Sequence, residues 1–190
     1  MKILNEHFKL KEQFPDNYAD ASFWQKVYRG AQKVKVESSS VCCFSLRNDI
    51  VLMWSHYGCK HSGVCIEFDN MTDRKFIVLK DVDFTEGVVN YRSEERINYV
   101  QEDRISAVLK LFLNKSRSWE HEQEYRFILL NHKQEIQYIH TDFVKGVYFG
   151  LRVADIQIRE FIESINWASY LNVKFYRAVR DGFNLLFLPL

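Results

Sequence analysis

Cys43-Phe44-Ser45-Leu46-Arg47-Asn48-Asp49-Ile50-Val51-Leu52-Met53-Trp54-Ser55-His56-Tyr57-Gly58-Cys59-Lys60-His61-Ser62-Gly63-Val64-Cys65-Ile66-Glu67-Phe68 sets a strand, a short helix and a second strand into one compact stretch. The apolar run 41–46 reads as a buried strand. Asn48 or Asp49 can then cap a helix on which Ile50, Met53, Trp54 and Tyr57 fall at i, i+3, i+4 and i+7, with Gly58 as its C-terminal stop. Residues 64–68 return as a strand.

Working outward, Phe23, Val27 and Ala31 repeat every four residues and predict a first helix over 19–34. Beyond the central stretch, 76–79 and 88–91 read as strands. The stripe Ile105, Val108, Leu109 and Phe112 predicts a helix over 102–116, leaving Lys110 and Lys115 off its apolar face. Strands are expected at 125–130 and 135–139 around a turn at 131–134, and another at 144–149. A last helix from 155 to about 168 precedes strands at 173–179 and 185–188. Strands outnumber helices without strict alternation, so the reading is α+β, a single domain over 1–190 with a mostly antiparallel sheet and about four helices.

Composition narrows the function classes. With 190 residues, 47% of them hydrophobic, the chain can bury one substantial core. Its 26 Lys+Arg against 25 Asp+Glu leave a net charge of +1, so charge does not support a nucleic-acid or anionic-membrane partner. No apolar stretch is long enough to span a bilayer, and the opening residues mix charged and apolar groups unlike a secretory leader, so the expectation is cytoplasmic. Cys42, Cys43, Cys59 and Cys65 suit buried free thiols better than disulfides in that setting.

Several residues could carry chemistry. Ser45 closes a strand, and Tyr57 follows a helix, where its aromatic face can stack on a flat ligand ring; Trp54 and Tyr57 read equally as core aromatics. His56, Cys59, His61 and Cys65 have no ordinary zinc spacing, so no metal is expected. A Cys/His nucleophilic pair is open on residue type alone. In Trp119-Glu120-His121-Glu122-Gln123-Glu124-Tyr125-Arg126, an extended chain from Glu122 puts Glu122, Glu124 and Arg126 on one face. That face reads as an exposed ion pair, or as a carboxylate that stabilises a developing cation with its charge held by Arg126. Glu67, Asp69, Glu122 and Glu124 together would suit Mg²⁺ in a nucleic-acid enzyme, the least favoured reading.

These segments resemble the bacterial domain of unknown function 2971 family. The resemblance rests on Cys43-Phe44-Ser45, Met53-Trp54-Ser55-His56-Tyr57, His61-Ser62-Gly63-Val64-Cys65-Ile66-Glu67-Phe68 and Trp119-Glu120-His121-Glu122-Gln123-Glu124-Tyr125-Arg126. It is extended by the phrases at 144–150 and 173–178. Leu4-Asn5-Glu6-His7-Phe8 resembles a phrase that in the family follows an opening strand, so that strand is expected to be missing before residue 1. The resemblance implies phage defence, abortive infection or a toxin activity, with a protein partner or antitoxin, or a homo-oligomer. More distantly, the order of parts is similar to ADP-ribosyltransferases and implies NAD as cofactor. On that comparison Glu124 holds the ribose 2′-hydroxyl and Glu122 orients the acceptor, making these two the candidate catalytic residues. Ser45, Trp54, His56, Tyr57 and Arg126 are then the candidate cofactor-binding set. The alternative is a non-enzymatic interaction or regulatory domain that lacks the opening strand.

Overall fold

The computed structural model describes residues 13, 21–69, 84–93, 104–131, 138–165 and 173–190. It is an α+β chain, and among the described residues the strands form a three-stranded, a four-stranded and a two-stranded sheet. The expected strand at 76–79 and most of that at 135–139 lie outside the described residues.

Helix α1 (Ala21–Glu37) leads into β1 (Ser40–Ser45), which pairs antiparallel with β6 (Glu124–Leu129). β3 (Phe84–Val88) pairs antiparallel with the other edge of β6, giving the order β1-β6-β3. β6 is the apolar spine of this sheet: Phe127, Ile128 and Leu129 are buried, as expected of a central strand covered on both faces. The second sheet has the order β2-β7-β8-β9, from β2 (Val64–Phe68), β7 (Val144–Phe149), β8 (Lys174–Asp181) and β9 (Asn184–Pro189). Its β7 and β8 run parallel, and they are bridged in sequence by helix α4 (Asp155–Ser164), the crossover that parallel neighbours need. Val147, Phe149, Val153 and Ile158 make the core beneath α4, joined by Phe161 and Phe175. Burying a side chain such as Phe149 is worth about 1.5–3 kcal/mol. Phe44 of β1 and Phe68 of β2 meet edge to face at 5.7 Å, so the two sheets touch through aromatic rings.

The central strand, helix and strand form as expected, with different punctuation. Helix α2 (Val51–His56) starts after Ile50, not after a side-chain cap from Asn48 or Asp49. Asp49 is instead engaged by Arg47 at 2.6 and 2.8 Å, and the Asn48 carbonyl accepts the Trp54 indole N–H at 2.5 Å. The helix is ended by Cys59, Lys60 and His61, all at positive φ, rather than by a left-handed Gly58. Gly58 is needed for space: a Cβ there would lie 2.9 Å from the Trp54 carbonyl oxygen.

Four other expectations are corrected. The strand at 88–91 is broken at Val89 into β3 and β4 (Asn90–Arg92): the Val89 N–H extends the β3–β6 register to the carbonyl of Glu124, the first residue of β6, at 2.9 Å, and from Asn90 the chain pairs with Asn114–Ser116 instead. The helix expected over 102–116 is α3 (Arg104–Leu113), and Asn114 opens a short strand, β5 (Asn114–Ser116), parallel to β4. The last helix stops at Ser164, with Ile165 already extended. The run 41–46 is not a buried strand: Val41, Cys42 and Cys43 of β1 are exposed, as is Leu46 after it, while all four cysteines are free thiols. Among the described residues no helix is long and apolar enough to cross a membrane.

Candidate functional site

The N-terminal end of β6 is where the charged residues converge. A six-residue 3₁₀ helix (Arg117–Glu122) runs into it, and Gln123 turns the chain through left-handed space at φ 44°. That turn replaces the expected extension at Glu122. It nevertheless brings Glu122 beside Glu124, and one ammonium, that of Lys115, contacts both carboxyl groups. Both residues are buried, at 2% and 3% exposure. Two carboxylates so enclosed require compensating charge.

Lys115 and Arg126 supply it. The Lys115 ammonium donates to Glu122 Oε2 and, at 2.5 Å, to Glu124 Oε1. Arg126, two residues along β6, clamps Glu124 through Nε at 2.8 Å and Nη2 at 3.2 Å, and its Nη1 donates to the Phe112 carbonyl at 2.5 Å. Two carboxylates and two cations therefore balance. Burial pushes the Glu124 carboxyl up, but the hydrogen bonds from Arg126 and Lys115 outweigh it and hold the group down at about 2. Burial works against the charge on Lys115 and Arg126 as well, and their carboxylate partners reverse it, so both cations hold their protons more tightly than usual.

The aromatic wall is Tyr57. The residue is 63% exposed, while its hydroxyl donates to Glu122 Oε1 at 2.9 Å. The phenol thus links an open surface to a buried carboxylate. That hydrogen bond, with some burial and the Glu122 charge, raises the Tyr57 hydroxyl above its ordinary value. On the other side, Lys115 lies 5.0 Å from the centre of the half-exposed Trp119 ring. Ser45 braces the backbone: its hydroxyl donates to the Glu122 carbonyl at 2.8 Å and accepts from the Arg47 N–H at 3.3 Å. Ser45 also stands opposite Glu124 in the β1–β6 register. Tyr91 accepts the Glu124 backbone N–H on its hydroxyl at 2.8 Å. Cys43, opposite Arg126 in register, hydrogen-bonds Glu124. Although the residue is exposed, partial desolvation of the thiol, that bond and the adjacent negative charge push it up to about 11, which disfavours the thiolate at neutral pH.

Of the residues singled out in the sequence, Ser45, Tyr57, Glu122, Glu124 and Arg126 come together. Trp54 does not: it is buried against Tyr148 and Leu185 in the four-stranded sheet's core, its ring stacked on His61. His56 is exposed, its ring 6.3 Å from that of Tyr57. Glu67 lies in the other sheet and accepts the Tyr148 hydroxyl at 2.7 Å, apart from the Glu122 and Glu124 pair. His56, Cys59, His61 and Cys65 do not converge, and among the described residues no group of three or more His, Cys, Asp or Glu side chains is arranged to hold a metal. A cavity of about 310 Å³ between Val51, His61, Leu151, Arg180 and Leu185 touches the start of α2, not the Tyr57 end.

Lys115 and Tyr91 are the partners that sequence reasoning missed. Lys115 looked like a solvated position on a helix face, yet the apolar stripe ends at Phe112 and Asn114 is a poor helix former. That break was the available signal. Tyr91 carried none, since its role depends on where β4 comes to lie.

No curated protein and no solved structure matches this chain. Residues 53–127 match the model of a family described as protein of unknown function (DUF2971), and this part of the chain, which includes Tyr57, Lys115, Glu122, Glu124 and Arg126, is similar to that family.

Proposed function

We propose that the chain binds NAD against Tyr57 and cleaves its nicotinamide–ribose bond, passing ADP-ribose to an acceptor. The observation that carries this reading is the hydrogen bond from the exposed Tyr57 phenol to buried Glu122, which couples an aromatic stacking surface to a buried pair of acidic side chains. Breaking a glycosidic bond to a pyridinium develops positive charge on the ribose, and fixed negative charge beside it lowers the barrier. Nicotinamide leaves neutral with the bonding electrons. The acceptor oxygen or nitrogen forms the new bond to the ribose carbon, and its proton passes by way of Glu122 to solvent. Glu124, held ionised by Arg126 and Lys115, suits the ribose 2′-hydroxyl through the acceptor capacity left on Oε2. The setting we propose, on the resemblance alone, is phage defence or a toxin, with a protein partner or antitoxin.

A second reading is a non-enzymatic interaction or regulatory domain. It is favoured by the enclosure of Glu124, which already accepts from Arg126 and Lys115 and is 3% exposed. Thermal unfolding with and without NAD, together with nicotinamide release followed by chromatography, separates the two. Under the transferase reading NAD raises the midpoint, Tyr57→Ala abolishes that rise, and Glu124→Gln abolishes nicotinamide release. No midpoint change at millimolar NAD leaves the interaction domain as the reading.

A further inference from the structure

We propose that Lys115 is the positioning residue of this site: its ammonium lets Glu122 and Glu124 stand side by side as carboxylates and thereby seats Tyr57. The inference concerns the charge state of the site itself and holds whether or not NAD is the substrate.

The argument is geometric. Both Glu122 oxygens face donors, Tyr57 on Oε1 and Lys115 on Oε2, an arrangement that suits a carboxylate and leaves a carboxylic proton poorly placed. Glu124 keeps its two contacts with Arg126 if Lys115 is lost, whereas Glu122 keeps only the neutral phenol. Among the described residues, the groups facing the pair are Tyr57 after α2, Tyr91 on β4, Lys115 on β5, Arg126 on β6 and Cys43 on β1. Of these only Lys115 and Arg126 are cations, so removing Lys115 leaves two buried negative charges against one positive. Like charges in contact do not both persist in a buried site; the pair then takes up a proton. That proton turns one Glu122 oxygen into a donor and disturbs its bond with Tyr57. Lys115 reaches this position because α3 stops at Leu113 and β5 redirects the chain toward β4. Its own side chain stays 23% exposed, so the balancing cation is the member nearest to solvent.

The test is a double-substitution cycle read by thermal unfolding of the full chain at pH 5 and pH 8, without NAD. Lys115→Met is expected to lower the midpoint more at pH 8 than at pH 5. Proton uptake raises the folded-state pKa of the pair, and the stability tied to that proton is lost as pH rises. Glu122→Gln in the Lys115→Met background removes the surplus charge and is expected to recover most of the loss at pH 8. Lys115→Arg is expected to keep the wild-type pH profile. Equal losses at both pH values, or no recovery on adding Glu122→Gln, would overturn the proposal and leave Lys115 as packing. If Lys115→Met alone does not fold, the cycle is read from Glu122→Gln. A folded Lys115→Met/Glu122→Gln double variant then supports the proposal, and an unfolded one overturns it. Because no step uses NAD, a failed NAD-binding experiment leaves this result standing, and the reverse also holds.

Discussion

Tyr57 and Glu122, 65 positions apart in the chain, meet through one hydrogen bond of 2.9 Å that joins an exposed ring to a buried carboxylate. The ring and the hydroxyl have separable roles. Tyr57→Phe keeps the stacking surface and loses the bond to a charged acceptor, which at this water-accessible position is expected to cost about 0.5–1.5 kcal/mol. Tyr57→Ala loses both. NAD-induced stabilisation should therefore survive in Tyr57→Phe and vanish in Tyr57→Ala, as read by calorimetry of each variant with and without the nucleotide.

The depressed Glu124 carboxyl makes a prediction in acid. Its folded value of about 2 lies below the ordinary 4.5, so between those values the unfolded chain binds a proton that the folded chain does not. Stability from this group is present above about pH 4.5 and is lost as pH falls toward about 2. Glu124→Gln should be less stable than wild type at neutral pH and show a shallower loss in this window. Urea midpoints taken between pH 5 and pH 2.5 measure both effects.

Arg126 is a planar clamp, with three of its nitrogens each directed at an oxygen of Glu124 or Phe112. A lysine ammonium cannot reproduce that fork. Arg126→Lys is expected to destabilise the chain by about 1–3 kcal/mol through loss of charge-assisted hydrogen bonds, despite unchanged net charge. Chemical denaturation of wild type and variant provides the comparison; equal midpoints would contradict the clamp.

Gly150 ends β7 where the turn after α2 crosses it. Its N–H donates to the Gly63 carbonyl at 3.0 Å, and a Cβ would run into the carbonyl oxygen of His61. Gly150→Ala forces backbone apart at the join between that turn and the four-stranded sheet, at a cost of about 1–3 kcal/mol. Gly30, with nothing within 4 Å of an added Cβ, is the control. Gly30→Ala lies within a helix and should be neutral to stabilising. Unfolding midpoints of the two variants should move in different directions, or only that of Gly150→Ala should move.

Local pattern determined the elements that depend on neighbours in sequence. The strand, helix and strand of 43–68 and the alternation along β6 follow from where apolar side chains recur, because a helix or a strand buries one face at its own period; the Phe23, Val27 and Ala31 period located α1, although Val27 and Ala31 stand exposed on it. The same pattern put Glu124 and Arg126 on one side of β6, two residues apart. It misjudged places where partners distant in sequence decide the outcome: after Val89 the strand at 88–91 changes partner from β6 to β5, and Gln123 turns left-handed so that Glu122 folds back. The meeting of Ser45, Tyr57, Tyr91, Lys115 and the two glutamates was decided only by the tertiary structure. Burying two carboxylates requires cations and donors from wherever the chain can bring them, and here they come from β1, the end of α2, β4, β5 and β6. Sequence spacing carries no record of that convergence, since each partner is fixed by a sheet register or by the end of a helix.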